Sequence, residues 1–343
     1  MSFSNSLIHW YLQNKRDLPW RNTTDPYTIW LSEIILQQTR VAQGMPYFES
    51  FLSSFPTVFD LANASEEQVL KLWQGLGYYS RARNLHATAK FVVDDLKGEF
   101  PNSYPKLIKL KGIGEYTAAA IASFSANENV AVLDGNVYRV LARYFIVEND
   151  ISISSTKKVF QELAKEVLPK KDAHIYNQAI MEFGALQCVP KNPNCFDCVL
   201  SESCGALQFK IVDKLPVKSK KTKVTNRYFN YLVFEDPEGK TIVNQRTEKG
   251  IWQNLYEFPV IELDEIIEED EIFELINKKN SDIIHISILP EFEIIHKLSH
   301  QKLHIQFIKV SLKKTLPNGL SIKDLKKLPF PIVIHNFIER FFS

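Results

Sequence analysis

The sequence predicts a multi-domain chain in which an all-α domain is followed, through a basic linker, by an α+β domain. Three observations carry that expectation. A length of 343 residues exceeds what one hydrophobic core usually organises. From Ser2 to about Leu207 apolar residues recur at three- and four-residue spacing, with breaks at Pro, Gly and Asn, which is helical texture. Beyond Tyr228 the texture changes to short strand-like runs bounded by turn residues. The boundaries expected from these shifts are 1–210 for the helical domain, 211–227 for the linker and 228–343 for the second domain.

Taken in order, Ile29 to Gln43 reads as one amphipathic helix, with Leu31, Ile34, Ile35, Gln38, Val41 and Ala42 on one face and Glu33, Gln37 and Arg40 on another. Tyr104 to Leu110 and the alanine-rich Glu115 to Phe124 read as two helices joined by Lys111-Gly112-Ile113-Gly114. Another helical run leads from Gly135 to Phe145, with Asp134 just before it. Between Ile211 and Arg227 stand six basic residues (Lys214, Lys218, Lys220, Lys221, Lys223 and Arg227) and one acid, Asp213. Such a run is a solvated tether, or a tether that also adds salt-sensitive attraction to phosphate. In the second domain, Tyr228 to Phe234 and Thr241 to Gln245 flank Asp236-Pro237-Glu238-Gly239 as a β-hairpin, and Phe292 to Ile295 with Leu303 to Val310 form a second pair. An acidic helical stretch, Leu263 to Lys279, and a lysine-rich one, Ser321 to Lys327, complete an α+β pattern. No internal repeat and no low-complexity tract interrupts it.

Composition narrows the class. Hydrophobic residues at 45% and charged residues at 24% are globular values, so extended disorder is not expected. No apolar run approaches membrane-spanning length, and Met1 to Trp20 lacks the pattern of a secretory leader, so a cytoplasmic protein with no membrane partner is expected. A net charge of +1 does not by itself announce a nucleic-acid partner.

Three features point to chemistry. All four cysteines, Cys188, Cys195, Cys198 and Cys204, fall in one short segment with six, two and five residues between them. In a reducing compartment that clustering argues for metal, and spacing alone leaves both zinc and an iron-sulfur cluster open. Gly112 and Gly114 before a helix leave amides facing outward, as an anion site or as a plain helix-helix turn. Glu33, in the middle of an apolar helix, is either an acid kept protonated by desolvation or an exposed glutamate beside Arg40 and Gln37. Asp134 fits a helix N-cap, a position that would also orient its carboxylate. A pair of carboxylates suits cleavage of a glycosidic bond through a cationic sugar.

The pattern Cys188-x₆-Cys195-x₂-Cys198-x₅-Cys204, taken with Trp20 to Thr39 and Val132 to Val140, resembles the endonuclease III and MutY glycosylases of the helix-hairpin-helix superfamily. That resemblance implies a [4Fe-4S] loop over 188–204 that is not the catalyst, and a helix-hairpin-helix over 105–125. Lys111, Gly112 and Gly114 would meet a DNA phosphate there, with a monovalent cation. It implies that Glu33 protonates adenine at N7 and helps to activate water, while Asp134 stabilises the cationic sugar, with Asn136 and Tyr116 beside them. Tyr116 stands where bifunctional relatives carry a Schiff-base lysine, so hydrolysis without a lyase step is expected. Trp20, Arg21 and Gln178 would line the adenine pocket, and Gln37, Gln38, Thr39, Arg40 and Tyr78 would probe the opened duplex.

Beyond the linker, Gly250 to Pro259 and His296 to His300 resemble the MutT-like (Nudix-like) domain of the MutY branch. The acidic array of a Nudix hydrolase does not follow Pro259, which leaves recognition of 8-oxoguanine by Leu298, Ser299 and His300. Leu298 departs from the phenylalanine of the family's turn, so the packing part of that contact is expected to differ here. The implied partner is double-stranded DNA with adenine opposite 8-oxoguanine or guanine, met by a monomer.

Overall fold

The computed structural model describes residues 2–219, 223–265, 267, 271–272, 274–275 and 282–343. Lys220 and Lys221 of the linker, and residues 266, 268–270, 273 and 276–279 of the acidic stretch Leu263 to Lys279, lie outside the described residues.

In chain order the helices are α1 (Phe3–Asn14), α2 (Pro26–Ile35), α3 (Val41–Ser54), α4 (Val58–Asn63), α5 (Glu66–Leu72), α6 (Ser80–Asp94), α7 (Tyr104–Leu107), α8 (Glu115–Ala126), α9 (Gly135–Phe145), α10 (Thr156–Glu166), α11 (Ala173–Leu186) and α12 (Gly205–Gln208), followed after the sheet strands by α13 (Ile322–Leu325) and α14 (Ile332–Phe341). The chain separates into two compact units. One comprises residues 1–63 and 84–220, the other 64–83 and 221–343. Thus α5 and the start of α6 group with the C-terminal part of the chain.

The first unit is helical. One of its cores joins Leu7, Trp10 and Tyr11 of α1 to Val137, Val140 and Leu141 of α9 and to Tyr176, Ile180 and Phe183 of α11. α2 begins at a well-made cap: Asp25 accepts the amides of Tyr27 (3.3 Å) and Thr28 (2.9 Å), and Pro26 takes the first helical position, where no N–H is needed. α2 packs on α8, whose Ala118, Ala119, Ala120 and Ala122 are all buried and small enough to let the two helices close. The helix expected to run unbroken from Ile29 to Gln43 is interrupted after Ile35. Gln38 turns into the left-handed region (φ 57°), and α3 restarts at Val41. The apolar spacing of the sequence continues across the break, so periodicity alone hides it, and in the fold Leu36 and Thr39 lie against Gly44 of α3.

The second unit is built on a mixed sheet. Its strands are β1 (Thr225–Glu235), β4 (Val260–Leu263), β5 (Ile283–Ile288), β6 (Ile294–Lys297) and β7 (Gln301–Leu312), with a separate ribbon of β2 (Asn244–Gln245) and β3 (Tyr256–Glu257). β6 and β7 form the expected antiparallel pair. The expected hairpin of Tyr228 to Phe234 with Thr241 to Gln245 is not formed. β1 lies between β7, to which it runs parallel, and antiparallel β4, so both of its edges are taken. Thr241 instead bridges Leu320, and Asn244 pairs with Glu257. The turn itself is made as read, with the Asp236 carboxylate accepting the amides of Glu238 and Lys240 at 2.9 Å.

One face of β1 carries Phe229 and Tyr231, and Phe337 of α14 stacks on Phe307 of β7 at 3.8 Å. The other face buries Leu232 with Ile286, Ile308, Val310, Ile267 and Ile272. α5 joins this unit through polar ties: the Lys71 ammonium donates to the carbonyls of Lys326 (2.8 Å) and Leu328 (3.1 Å), and the Phe330 amide donates to the Gln74 side chain (3.0 Å).

Candidate active site

Within the first unit, Glu33 lies on a helix nearly all of whose residues are buried, and it is itself only 8% exposed. The reading of Glu33 as a surface glutamate is thereby set aside. Burial pushes its carboxyl up from 4.5 to about 7; the Tyr116 phenol, which donates to Oε2 at 2.6 Å, pulls the other way. The nearby Asp134 carboxylate adds to the rise and Arg21 opposes it. Burial, with Glu33 and Asp134 beside it, raises the Tyr116 phenol well above 10, so it stays a donor. Tyr116, Asp134 and Arg21 therefore all stand near enough to act on the Glu33 carboxyl.

Asp134 caps α9. It accepts the Val137 amide at 2.8 Å and the Asn136 side-chain amide at 2.8 Å. Burial raises its carboxyl, and these donors work against the rise by stabilising the anion. Asn136 in turn accepts from Arg139 at 2.9 Å, and the same guanidinium donates to the carbonyls of Cys188 (2.7 Å) and Gly184 (2.6 Å). The turn that aims Asp134 is thus tied to the start of the cysteine loop. Gly184 is required by this approach, because a Cβ there would lie 2.6 Å from the Asn136 Cβ and 3.0 Å from its carbonyl oxygen.

Arg21 reaches Glu182 with two donors, at 3.0 and 2.7 Å, and Arg16 does the same at 2.9 and 2.6 Å. Burial works to raise the Glu182 carboxyl, but the two guanidiniums hold it at about 2. Gln178, one turn earlier on α11, accepts from the Tyr11 hydroxyl at 2.5 Å. Arg21 lies over that same Tyr11 ring, 5.6 Å from its centroid. Trp20 packs edge-on against Phe48 at 5.0 Å. Arg16, Tyr11, Arg139 and Glu182 went unread in the sequence. An acid inside apolar α11 was the one local signal for Glu182.

A cavity of about 770 Å³ is lined by Tyr116, but not by Glu33 or Asp134, and is bounded further by Gln37, Leu133 and Tyr138 and by Gly112 and Gly114 of the hairpin. The hairpin turns through Gly112 in the left-handed region (φ 75°). Gly114 caps α8 with no side-chain bond, and no acceptor meets the amides of Glu115, Tyr116 and Thr117 among the described residues. Lys111 is exposed, and its carbonyl accepts from Thr88 at 2.7 Å. Gln37 donates to Thr117 at 3.2 Å, while Gln38 and Arg40 are exposed and Thr39 donates to the Gln37 carbonyl at 3.2 Å.

The four cysteines surround one small cavity of about 30 Å³. Arg143 donates to the Cys188 sulfur at 3.4 Å, and the Leu200 amide donates to the Cys198 sulfur at 3.4 Å. Burial pushes the Cys198 thiol up to about 11, and burial with neighbouring thiolates also raises Cys195 and Cys204. Convergent sulfurs that repel one another as anions, with N–H donors aimed at them, fit a cationic cluster core. Among the described residues no three His, Cys, Asp or Glu side chains are grouped as a single-ion site.

In the second unit, Tyr78 is 51% exposed with its backbone in the left-handed region (φ 48°), between Gly77 (φ 76°) and Tyr79. Its hydroxyl lies 2.5 Å from that of Ser299 in the turn between β6 and β7. Leu298 and His300 of that turn line the same cavity of about 620 Å³, together with Trp252 and His296. The turn is closed by the Leu298 amide donating to the Gln301 carbonyl at 2.8 Å.

Two family descriptions match the chain. Residues 31–170 match the HhH-GPD superfamily of base excision DNA repair proteins, and residues 230–340 match the NUDIX domain. Among solved structures, a thermostable thymine-DNA glycosylase aligns with a TM-score of 0.56 at 28% identity over 60% of this chain and 95% of that one. A trapped endonuclease III–DNA covalent intermediate shares the fold, with a TM-score of 0.53 at 20% identity over 61% of this chain and 95% of that one. An adenine DNA glycosylase of Buchnera aphidicola subsp. Baizongia pistaciae is 37% identical over 91% of this chain and 87% of its own length, and one of Arabidopsis thaliana is 34% identical over 89% of this chain and 57% of its own. Since a further adenine DNA glycosylase, that of Buchnera aphidicola subsp. Schizaphis graminum, matches 99% of this chain and 98% of its own length at 37% identity, the chain belongs to the MutY-type adenine DNA glycosylase family.

Proposed function

We propose that this protein excises adenine mispaired with 8-oxoguanine or guanine, as the first step of base excision repair, by hydrolysing the N-glycosidic bond. The observation that carries the reading is the buried Glu33 carboxyl, raised to about 7 and facing both Tyr116 and Asp134. At neutral pH a large share of such a group holds a proton it can give away. Glu33 delivers that proton to N7 of the extruded base, which lets the bonding electrons of the glycosidic bond leave with adenine. The positive sugar that remains is stabilised by the Asp134 carboxylate, kept anionic by its bonds from Val137 and Asn136. Water then adds to the sugar carbon and loses a proton, with Glu33 as acceptor. Tyr116 offers a phenol where a lyase needs an amine, so no Schiff base forms.

The wider reading assigns Arg21 and Gln178, held by Glu182 and Tyr11, to the adenine pocket together with Trp20. It assigns Gln37, Gln38, Thr39 and Arg40 to the opened duplex, and Lys111, Gly112 and Gly114 to a phosphate, with a monovalent cation at the hairpin. Cys188, Cys195, Cys198 and Cys204 would hold a [4Fe-4S] cluster. When bound it supplies a cationic, redox-competent core that fixes the loop, and the chain's own part is to present four thiolates and the donors from Arg143 and Leu200. Tyr78, Ser299, His300 and Leu298 share one cavity, which supports their assignment to 8-oxoguanine. The test is to incubate the purified protein with an adenine·8-oxoguanine duplex. Free adenine should appear, and borohydride should trap little enzyme on DNA. Efficient trapping, or no adenine release, overturns the reading.

A further inference from the structure

Glu115 stands at the first position of α8, directly after Gly114, so a carboxylate borders the amides to which the hairpin reading assigns a phosphate. A negative side chain suits a helix N-terminus on its own, but it repels a second anion brought to the same amides. The neighbouring wall of the cavity answers that charge. Lys157 of α10 meets Glu115 Oε2 at 2.8 Å, and Gln161, one turn further along α10, donates to the same oxygen at 2.6 Å. Lys157, Gln161, Gly112 and Gly114 all line the cavity of about 770 Å³ that reaches Tyr116. Both members of the pair are partly exposed, 47% for Lys157 and 44% for Glu115, so the bond is accessible from the cavity mouth.

We propose that Lys157 is a positioning residue for DNA binding, which neutralises Glu115 and draws its carboxylate to α10 so that the hairpin amides can donate to a backbone phosphate. The proposal rests on the reading that the hairpin takes a phosphate. An isolated surface ion pair contributes little to stability, which agrees with a role in binding rather than folding. Without Lys157 the phosphate approaches an uncompensated carboxylate. With neither charge present, the approach is again neutral.

The experiment measures the affinity of the full chain for an unmodified duplex across a salt series, because phosphate contacts are largely independent of sequence. Lys157→Met should weaken binding by ~10-fold at low salt, with the defect shrinking as salt screens the pair. Glu115→Gln with Lys157→Met should return affinity to within ~2-fold of the parent, a rescue that loss of structure would not show. Glu115→Gln alone should bind tighter and steepen the salt dependence by about one phosphate equivalent, because Lys157 is then free for DNA. An unchanged affinity in Lys157→Met overturns the proposal, as does a double variant as weak as Lys157→Met. Gly114→Asp tests the underlying reading separately. A Cβ there meets open space, so the fold has room for the side chain, and its own carboxylate would cap the amides. If Gly114→Asp binds DNA like the parent, the hairpin reading fails; if it binds weakly while the Lys157 variants behave like the parent, only the Lys157 proposal fails.

Discussion

At the scale of single residues, Glu33 shows how burial and one hydrogen bond pull a carboxyl in opposite directions. Its carboxyl titrates near 7 in place of 4.5, a difference that corresponds to ~3 kcal/mol between its two protonation states. The sign of the effect is fixed. A carboxyl whose pKa is raised by folding favours the folded state while protonated, and it disfavours folding increasingly as pH climbs from about 4.5 to 7. Glu33→Gln should therefore melt higher than the parent at pH 8 and by a smaller margin at pH 5, while adenine release falls by at least ~10²-fold. The single-turnover rate of the parent should decline above pH 7, where Glu33 has lost its proton, and also in acid, where the raised Asp134 becomes neutral. A rate profile flat across pH 7, or a variant with near-parental turnover, would remove Glu33 from its role. The residues that hold this site were harder to read. Glu182 and Arg16 are 166 positions apart, and only the fold brings an acid inside α11 to two arginines in the segment between α1 and α2.

At the scale of elements, α9 and α11 divide the work of aiming Asp134. α9 supplies the cap and Asn136, and α11 supplies Gly184, whose lack of a side chain lets the two backbones meet. Gly184→Ala should force these helices apart, costing about 1–3 kcal/mol as overpacking does, with a larger loss in the rate of base release than in DNA affinity. Thermal melts and single-turnover assays would check this, and an unchanged rate would detach Gly184 from the active site. The N-cap role of Asp134 was legible because caps are local. The β1 pairing was not, because a turn between two strand-like runs suggests a hairpin, whereas long-range pairing with β7 and β4 claimed both edges of β1. The break at Gln38 stayed hidden because the apolar spacing of the sequence runs on across it.

At the scale of the whole molecule, Glu33 and Asp134 lie in one compact unit and Tyr78 and Ser299 in the other, so the proposed function assigns base removal and lesion reading to different units. Replacing Ser299 and His300 with alanine should thus lower the preference for 8-oxoguanine over guanine more than it slows chemistry on the preferred duplex. An equal loss on both duplexes would count against the assignment. The two-part layout was legible from the change of texture after the linker, and the cysteine spacing marked its loop without any knowledge of the fold. What composition could not reveal is that residues 64–83 group with the C-terminal sheet. A fragment that stops at the linker would strip Lys71 of the carbonyls it binds, leave Gln74 without the Phe330 amide and separate Tyr78 from Ser299. Weak behaviour of such a truncated piece would accordingly report damage to its own middle as well as the missing tail, and a dissection of the two activities calls for point changes, since no single cut yields two intact halves.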